Sequence, residues 1–353
     1  MNREEKVHIL TELGKVLATL SDGQPAARIE HTSDGNAATT PAIRELAELI
    51  DNVHIYNAWF TPGSVRTALG NIAKWLQKDV LEKVLSRYPE NTDTPKRVLL
   101  IMAGNIPLVG FHDFVCTFLA GHNAMVKLSS DDNQLMPAIL KVMSELSPDV
   151  ASAVELVEGK PSVFDALIAT GSDNTAMHFD YYFRKYPKII RRNRSSLAVL
   201  DGLESPEDLK LLGDDIFTHF GLGCRSVSQV WIPQNFELDR LFQAVLPHHD
   251  LIHHNKYANN YNYNKTVYLL NQEQLFDNGF LLMKEDERMH SPVAMLFYQR
   301  YSDFNDPQQF IAANKDKIQA VIGRGGIPFG KGQCPDFFDY ADAVDTMEFL
   351  TAL

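Results

Sequence analysis

Between Arg97 and Leu200 the chain alternates short apolar runs with helix-period stretches, and this alternation restricts the fold more than any other feature. The runs are Arg97 to Ala103, Ala124 to Leu128, Ala153 to Val157, Ala166 to Thr170 and Leu197 to Leu200, each of strand length. Between them Pro107 to Ala120, Gln134 to Leu146 and Asn174 to Tyr186 have the length and period of crossover helices. Strand, helix, strand order of this kind predicts an α/β fold around a parallel sheet. At roughly 150 residues per domain, 353 residues make about two domains. The reading places N-terminal helices and a Rossmann-type domain at 1–201, a second α/β domain at 202–326 and a C-terminal segment at 327–353 that returns to the first domain or to an oligomer interface. Upstream, Ile9 to Leu20 repeats apolar residues at three- and four-residue steps, Ala27 to Ala38 reads as a loop, and Ile43 to Ile50 and Ser64 to Tyr88 read as two further helices.

Charge and composition narrow the function. Lys and Arg number 33 against 45 Asp and Glu, so the net charge of −12 repels nucleic acid backbones. The longest apolar stretch, Val98 to Phe111, is interrupted at Asn105 and falls short of the ~20 residues of a spanning helix. The opening MNREEKVHIL has no secretory pattern, so a cytoplasmic protein is expected. Cys116, Cys224 and Cys334 are too few and too scattered for a disulfide framework or a metal knuckle. A cysteine that matters here acts as a reduced thiol.

Four places offer chemistry. In FGLGCRSVSQ, Gly221 and Gly223 let a ligand approach Cys224, and Arg225 sets a positive charge beside the sulfur, which favours the thiolate. The competing reading is a small buried hydrophobe. Asn105 lies between a strand end and a helix expected to begin at Pro107, placed either to donate to a carbonyl oxygen or to cap that helix. Thr170, Gly171 and Ser172 follow a strand and open a helix, where free N–H groups bind phosphate, although a plain capped turn serves equally. Lys127, Ser129 and Ser130 end another strand as a lip suited to a ribose or its phosphate, or as ordinary solvated side chains. Gly325 to Lys331 imitates a phosphate loop, but Gly332 replaces the magnesium-binding hydroxyl, so an NTPase is rejected. His249 and His253 share a helical face if that segment is an α-helix, yet no third ligand follows, and no metal is expected.

Taken in order, these segments resemble the aldehyde dehydrogenase superfamily, and within it the acyl-CoA reductases of the bacterial luminescence (LuxC) type. GNIP at 104–107 is similar to that superfamily's Asn-x-Pro motif, AGHNAMVKLSS at 120–130 to its strand ending in lysine, and ATGS at 169–172 to its Thr-Gly-Ser turn. GLGC at 221–224 resembles its nucleophile loop and IPFGKG at 327–332 its late Pro-Phe-Gly turn. The resemblance implies a Rossmann-type cofactor domain beside a catalytic domain, an acyl-Cys224 intermediate, and an oxyanion held by Asn105 and the Cys224 N–H. It also implies a nicotinamide cofactor on Lys127, Ser129, Ser130, Thr170, Gly171 and Ser172. The run resembling the superfamily's deacylating-acid segment, Arg192 to Leu200, holds no acid, which disfavours hydrolysis and favours exchange with CoA. At the second acid position stands Arg288, beside Glu287, with His290 as a candidate proton donor. Ser130 in place of a carboxylate favours NADPH. The expected substrate is a fatty acyl-CoA or acyl carrier, delivered by a partner enzyme or free, and the expected assembly is a homo-oligomer. Two readings compete: a cofactor-free cysteine acyltransferase or thioesterase using a histidine such as His219, and a scaffold without turnover.

Overall fold

Short, mostly apolar strands form two mainly parallel sheets, each belonging to its own unit of the chain. The computed structural model describes residues 1–24, 40–89, 94–161, 163–171 and 173–353, so the loop expected at 27–38 and Ser172 lie outside the described residues. One unit comprises 1–192 with 336–353 and the other 193–335.

The first unit begins with α1 (Arg3–Ser21), whose start is fixed by a capping box between Asn2 and Glu5. Next come α2 (Pro41–Asn52) and α3 (Pro62–Trp75), each opened by a threonine cap and a proline, and α4 (Lys78–Arg87). The single helix expected over 64–88 is therefore two, broken at Leu76 and Gln77. The sheet is built from β1 (Arg97–Ile101), β2 (Asn123–Lys127), β3 (Val154–Leu156), β4 (Ala166–Thr170) and β5 (Lys188–Arg191). They are linked by α5 (Phe111–Ala120), α6 (Leu135–Leu146), the single turn α7 (Val150–Ala153) and α8 (Asp173–Tyr182). All pairings are parallel in the order β3-β2-β1-β4-β5. Side chains alternate: Val98 and Leu100 join the core under the N-terminal helices, while Leu99 packs with Met125 and Leu167 on the other face. A parallel sheet needs both faces covered, and this one has that cover.

The second unit contains β6 (Ser195–Val199), α9 (Pro206–Phe217), β7 (Val227–Pro233), α10 (Leu238–Ala244) and α11 (Asn255–Leu270). It continues through β8 (Phe276–Asp277), β9 (Leu282–Glu285), β10 (Met295–Tyr301), α12 (Asn305–Ala313) and β11 (Ile318–Gly323). Strand order is β11-β6-β7-β10-β9-β8, parallel except for the edge strand β8. The run Leu197 to Leu200, expected to close the first domain, instead lies in this sheet between β7 and β11, so the boundary falls at Arg192 rather than Asp201. The reason is pairing: β6 hydrogen-bonds to strands that occur later in the chain.

From Asp336 the chain belongs to the first unit, where Met347 and Leu350 of α13 (Thr346–Thr351) are buried in its core. The expected change at 327 thus occurs at Asp336, because 327–335 packs in the second unit. Arg191 fastens this return: its guanidinium donates to Asp113 Oδ1 at 2.7 Å and Oδ2 at 3.2 Å, to Thr346 Oγ1 at 2.8 Å and to the Ala341 carbonyl at 2.6 Å.

Candidate active site

In the first unit the candidate cofactor residues gather at the carboxyl ends of adjacent strands. Ile101 pairs with Lys127 on one side and Ala169 on the other, so β1 lies between Lys127 and Thr170. The chain proceeds from β1 to β2 and β3 on one side, then returns to β4 on the other, so this edge is the topological switch point where open α/β sheets bind ligands. Lys127 and Ser129 are half-buried and Ser130 is exposed. The Lys127 ammonium donates to the Gly159 carbonyl and has further donors to offer. Thr170 ends β4 and is half-buried, while the Gly171 N–H donates to the Arg191 carbonyl at 3.3 Å.

Asn105 sits exposed in the turn after β1. The helix expected from Pro107 begins only at Phe111 with Gly110 as its N-cap residue, so Asn105 does not cap it. Leu108 adopts a left-handed φ of 61°, a costly conformation for leucine, and its N–H donates to Asp132 Oδ2 at 2.8 Å. Gly104 permits the close packing: a Cβ there would stand 2.8 Å from Ser129 Oγ and 2.9 Å from the Asp132 nitrogen. Burial pushes the Asp132 carboxyl up to about 6, against the Leu108 and Leu135 N–H groups that favour its ionised form. Nothing in the local sequence SSDDN, 129–133, sets Asp132 apart from Asp131.

In the second unit Cys224 is exposed and free of any disulfide, on the loop between α9 and β7. That loop is entered through His219, Phe220 and Gly221, with φ of 54°, 58° and 76°, so three successive residues are left-handed and two are not glycine. Ser196 Oγ of β6 donates to the Cys224 carbonyl at 2.9 Å. Arg225 Nη1 donates to the Gly332 carbonyl at 3.2 Å, so part of the charge expected beside the sulfur is engaged by the Pro-Phe-Gly turn. Gly330 and Gly332 direct their N–H groups at Asp215, at 2.7 and 2.8 Å. The motif that imitates a phosphate loop therefore binds a carboxylate of its own chain. Burial keeps the His219 imidazole neutral, lowering its pKa to about 4.

Downstream, β7 also holds the loop carrying Glu287, Arg288 and His290. The buried Gln229 amide reaches the carbonyls of Asp286, Glu287 and Arg288 at 3.2–3.3 Å, and Ser228 Oγ donates to the Met289 carbonyl at 2.6 Å. Arg288 closes on Asp286 at 2.6 Å, and this pairing and the Lys284 ammonium hold the Asp286 carboxyl well below the usual range against burial. Burial lowers the His290 pKa. Phe217, Phe220, Tyr257, Ser291, Val293 and Met295 line a small, mostly apolar cavity of this unit, next to the residues that lead to Cys224. His249 and His253 do not share a face, because Leu246–His253 is a 3₁₀ helix whose side chains align every three residues.

The profile of the acyl-CoA reductase (LuxC) family matches residues 48–235, more than half of the chain. No curated protein matches. Among solved structures, aldehyde dehydrogenase 21 from Physcomitrella patens is similar at a TM-score of 0.61 and 11% identity, covering 92% of this chain and 74% of that one. An aldehyde dehydrogenase from Mycobacterium tuberculosis, complexed with NAD+, gives 0.56 and 14%, covering 84% and 76%. An acetylating aldehyde dehydrogenase from Geobacillus thermoglucosidasius gives 0.56 and 9%, covering 91% and 76%. These likenesses establish an aldehyde dehydrogenase-like fold. Asn105, Lys127, Thr170, Gly171 and Cys224 all fall within the matched stretch, and the chain belongs to the LuxC family of acyl-CoA reductases, oxidoreductases that act at the aldehyde level.

Proposed function

We propose that the protein reduces a long-chain fatty acyl-CoA, or the same acyl unit on a carrier, to the aldehyde with NADPH through an acyl-cysteine at Cys224. The observation that carries this reading is the exposed Cys224 on its strained and fastened loop, inside a stretch that matches acyl-CoA reductases. The Cys224 thiolate attacks the thioester carbonyl, the oxyanion is held by the Asn105 amide and the Cys224 N–H, and CoA leaves as its thiolate. The donor set of Lys127, Ser129, Ser130 and Thr170 at the switch point suits a ribose and its phosphates, so these residues, with Gly171 and Ser172, would hold the cofactor. When bound, the nicotinamide supplies the hydride that takes the acyl unit to the aldehyde level. With no acid in 192–200 to activate water, the acyl-enzyme is protected from hydrolysis. A homo-oligomer, a cytoplasmic location and an acyl-delivering partner enzyme complete the proposal.

The cofactor-free thioesterase reading is weaker. His219, its candidate base, is buried with a pKa near 4, far from the value that makes a base effective at neutral pH. The test is loss of NADPH absorbance with a panel of acyl-CoAs from short to long, with NADH and the Cys224→Ala variant alongside. Oxidation by the unaltered protein alone supports the proposal. Cys224-dependent CoA release without oxidation moves the function to acyl transfer, and faster turnover with NADH overturns the cofactor assignment.

A further inference from the structure

Asp215 occupies the apolar stripe of α9 with Leu209, Leu212 and Ile216, and is 1% exposed. A carboxylate placed there is costly unless its oxygens are satisfied. Both are satisfied by the turn at 330–333: Oδ2 accepts from the Gly330 N–H and Oδ1 from the Gly332 N–H. The glycines make this approach possible. Gly330 has φ of 73°, and a Cβ on Gly332 would stand 2.9 Å from Asp215 Oδ1. The same turn then holds the nucleophile loop. The Gly332 carbonyl accepts from Arg225, and the Gln333 amide donates to Ser226 Oγ at 3.1 Å and to the Asp215 carbonyl at 3.4 Å. Residues 225 and 226 are thus fixed by the turn, residue 224 by Ser196, and the turn itself by Asp215.

We propose that Asp215 is a positioning residue for Cys224, the buckle of a strap, Gly330 to Gln333, that holds the nucleophile loop in its productive shape. This deepens the proposed function and rests on its reading of Cys224 as the nucleophile. The strap is needed because the loop is entered through two left-handed non-glycine residues, a strained conformation against which relaxed alternatives compete. A nucleophile displaced by about 1 Å loses roughly a hundredfold in rate.

The test compares Asp215→Asn, which offers one of the two glycine amides an NH2 instead of an oxygen, with Gln333→Leu, which cuts the strap from Ser226 and leaves the carboxylate in place. Two readouts are followed: acyl-CoA reduction, and the rate at which iodoacetamide alkylates Cys224, measured on its own peptide. The alkylation rate is expected to change at least threefold in each variant, and kcat to fall at least tenfold while the acyl-CoA KM stays within threefold. The double variant should be little worse than the poorer single one, since both cut one strap. An alkylation rate within 1.5-fold of the unaltered protein in a folded Gln333→Leu variant overturns the proposal, as does full additivity in the double variant. Should Asp215→Asn fail to fold, Gln333→Leu decides alone. Alkylation does not depend on turnover: changed alkylation in a protein that reduces no acyl-CoA retains the buckle and discards the reductase reading, whereas active protein with unchanged alkylation does the reverse.

Discussion

Replacing Asp113 by alanine should cost about 3–5 kcal/mol of stability, the range for removing one partner of a buried ion pair. The Asp113 and Arg191 side chains are 9% and 5% exposed, and loss of the carboxylate leaves a buried guanidinium that still donates to Thr346 and the Ala341 carbonyl but has lost its paired charge. For a unit of this size 1 kcal/mol corresponds to about 2–4 °C, so the melting temperature of the first unit should fall by roughly 6–20 °C. Because those remaining partners lie on 336–353, limited proteolysis should cut this segment earlier in the variant. Replacing the pair together, Asp113→Leu with Arg191→Met, should recover most of the loss, since an apolar pair of similar volume needs no compensating charge. The pH dependence has a definite sign. Burial opposes ionisation of Asp113, but the charge and hydrogen bonds of Arg191 outweigh it and hold the carboxyl below its ordinary value. Its contribution is therefore present above the unfolded pKa and is lost as pH falls through the folded one. Denaturant titration of the single and double variants decides the matter: a single-variant loss under 1 kcal/mol, or a double variant no more stable than the single, refutes the reasoning.

Asn105→Ala should lower kcat for acyl-CoA reduction by about a hundred- to a thousandfold, the usual effect of losing one oxyanion donor, with the melting temperature unchanged because Asn105 is exposed; steady-state kinetics and calorimetry check both halves. Asp132→Asn should raise stability relative to the unaltered protein as pH climbs from about 4 to 7. The Asp132 carboxyl at about 6 lies above its ordinary 3.8, so the folded form binds the proton more tightly, and ionising the group costs up to about 3 kcal/mol across that window. Urea titrations at pH 4 and pH 7 measure that difference, and equal effects at the two values would count against a strained, buried carboxylate.

What the sequence revealed and what it concealed divide along a physical line. The strands of the first sheet that were expected, and the exposed loop at Cys224, were legible because their signals are local: β4 occupies the apolar run Ala166–Thr170 residue for residue, and glycines flank Cys224 in the sequence. β5 escaped notice because its only apolar residues are Ile189 and Ile190, between a lysine and an arginine, and the burial of Arg191 depends on a partner 78 residues away. Pro107 reads as a helix start, yet Asp132 draws the Leu108 N–H into a left-handed turn and delays the helix to Phe111. The two aspartates of α9 make the same point within one dipeptide. Asp214 is exposed, 3.5 Å from His248, while Asp215 is buried against glycine amides 115 and 117 residues further on. One local clue did exist, since Asp215 falls on the Leu209, Leu212, Ile216 stripe where a solvated acid does not belong. An acid on the apolar face of a helix, or a glycine pair without a phosphate-loop hydroxyl, carries little meaning alone. Together they predict each other, because buried carboxylates need N–H donors and glycines supply them at close range. That pairing rule identifies a support for the chemistry, as distinct from the chemistry itself, and it explains why the residues found from motif spacing are exposed at Asn105 and Cys224 while those that fix their loops, Asp132 and Asp215, are not.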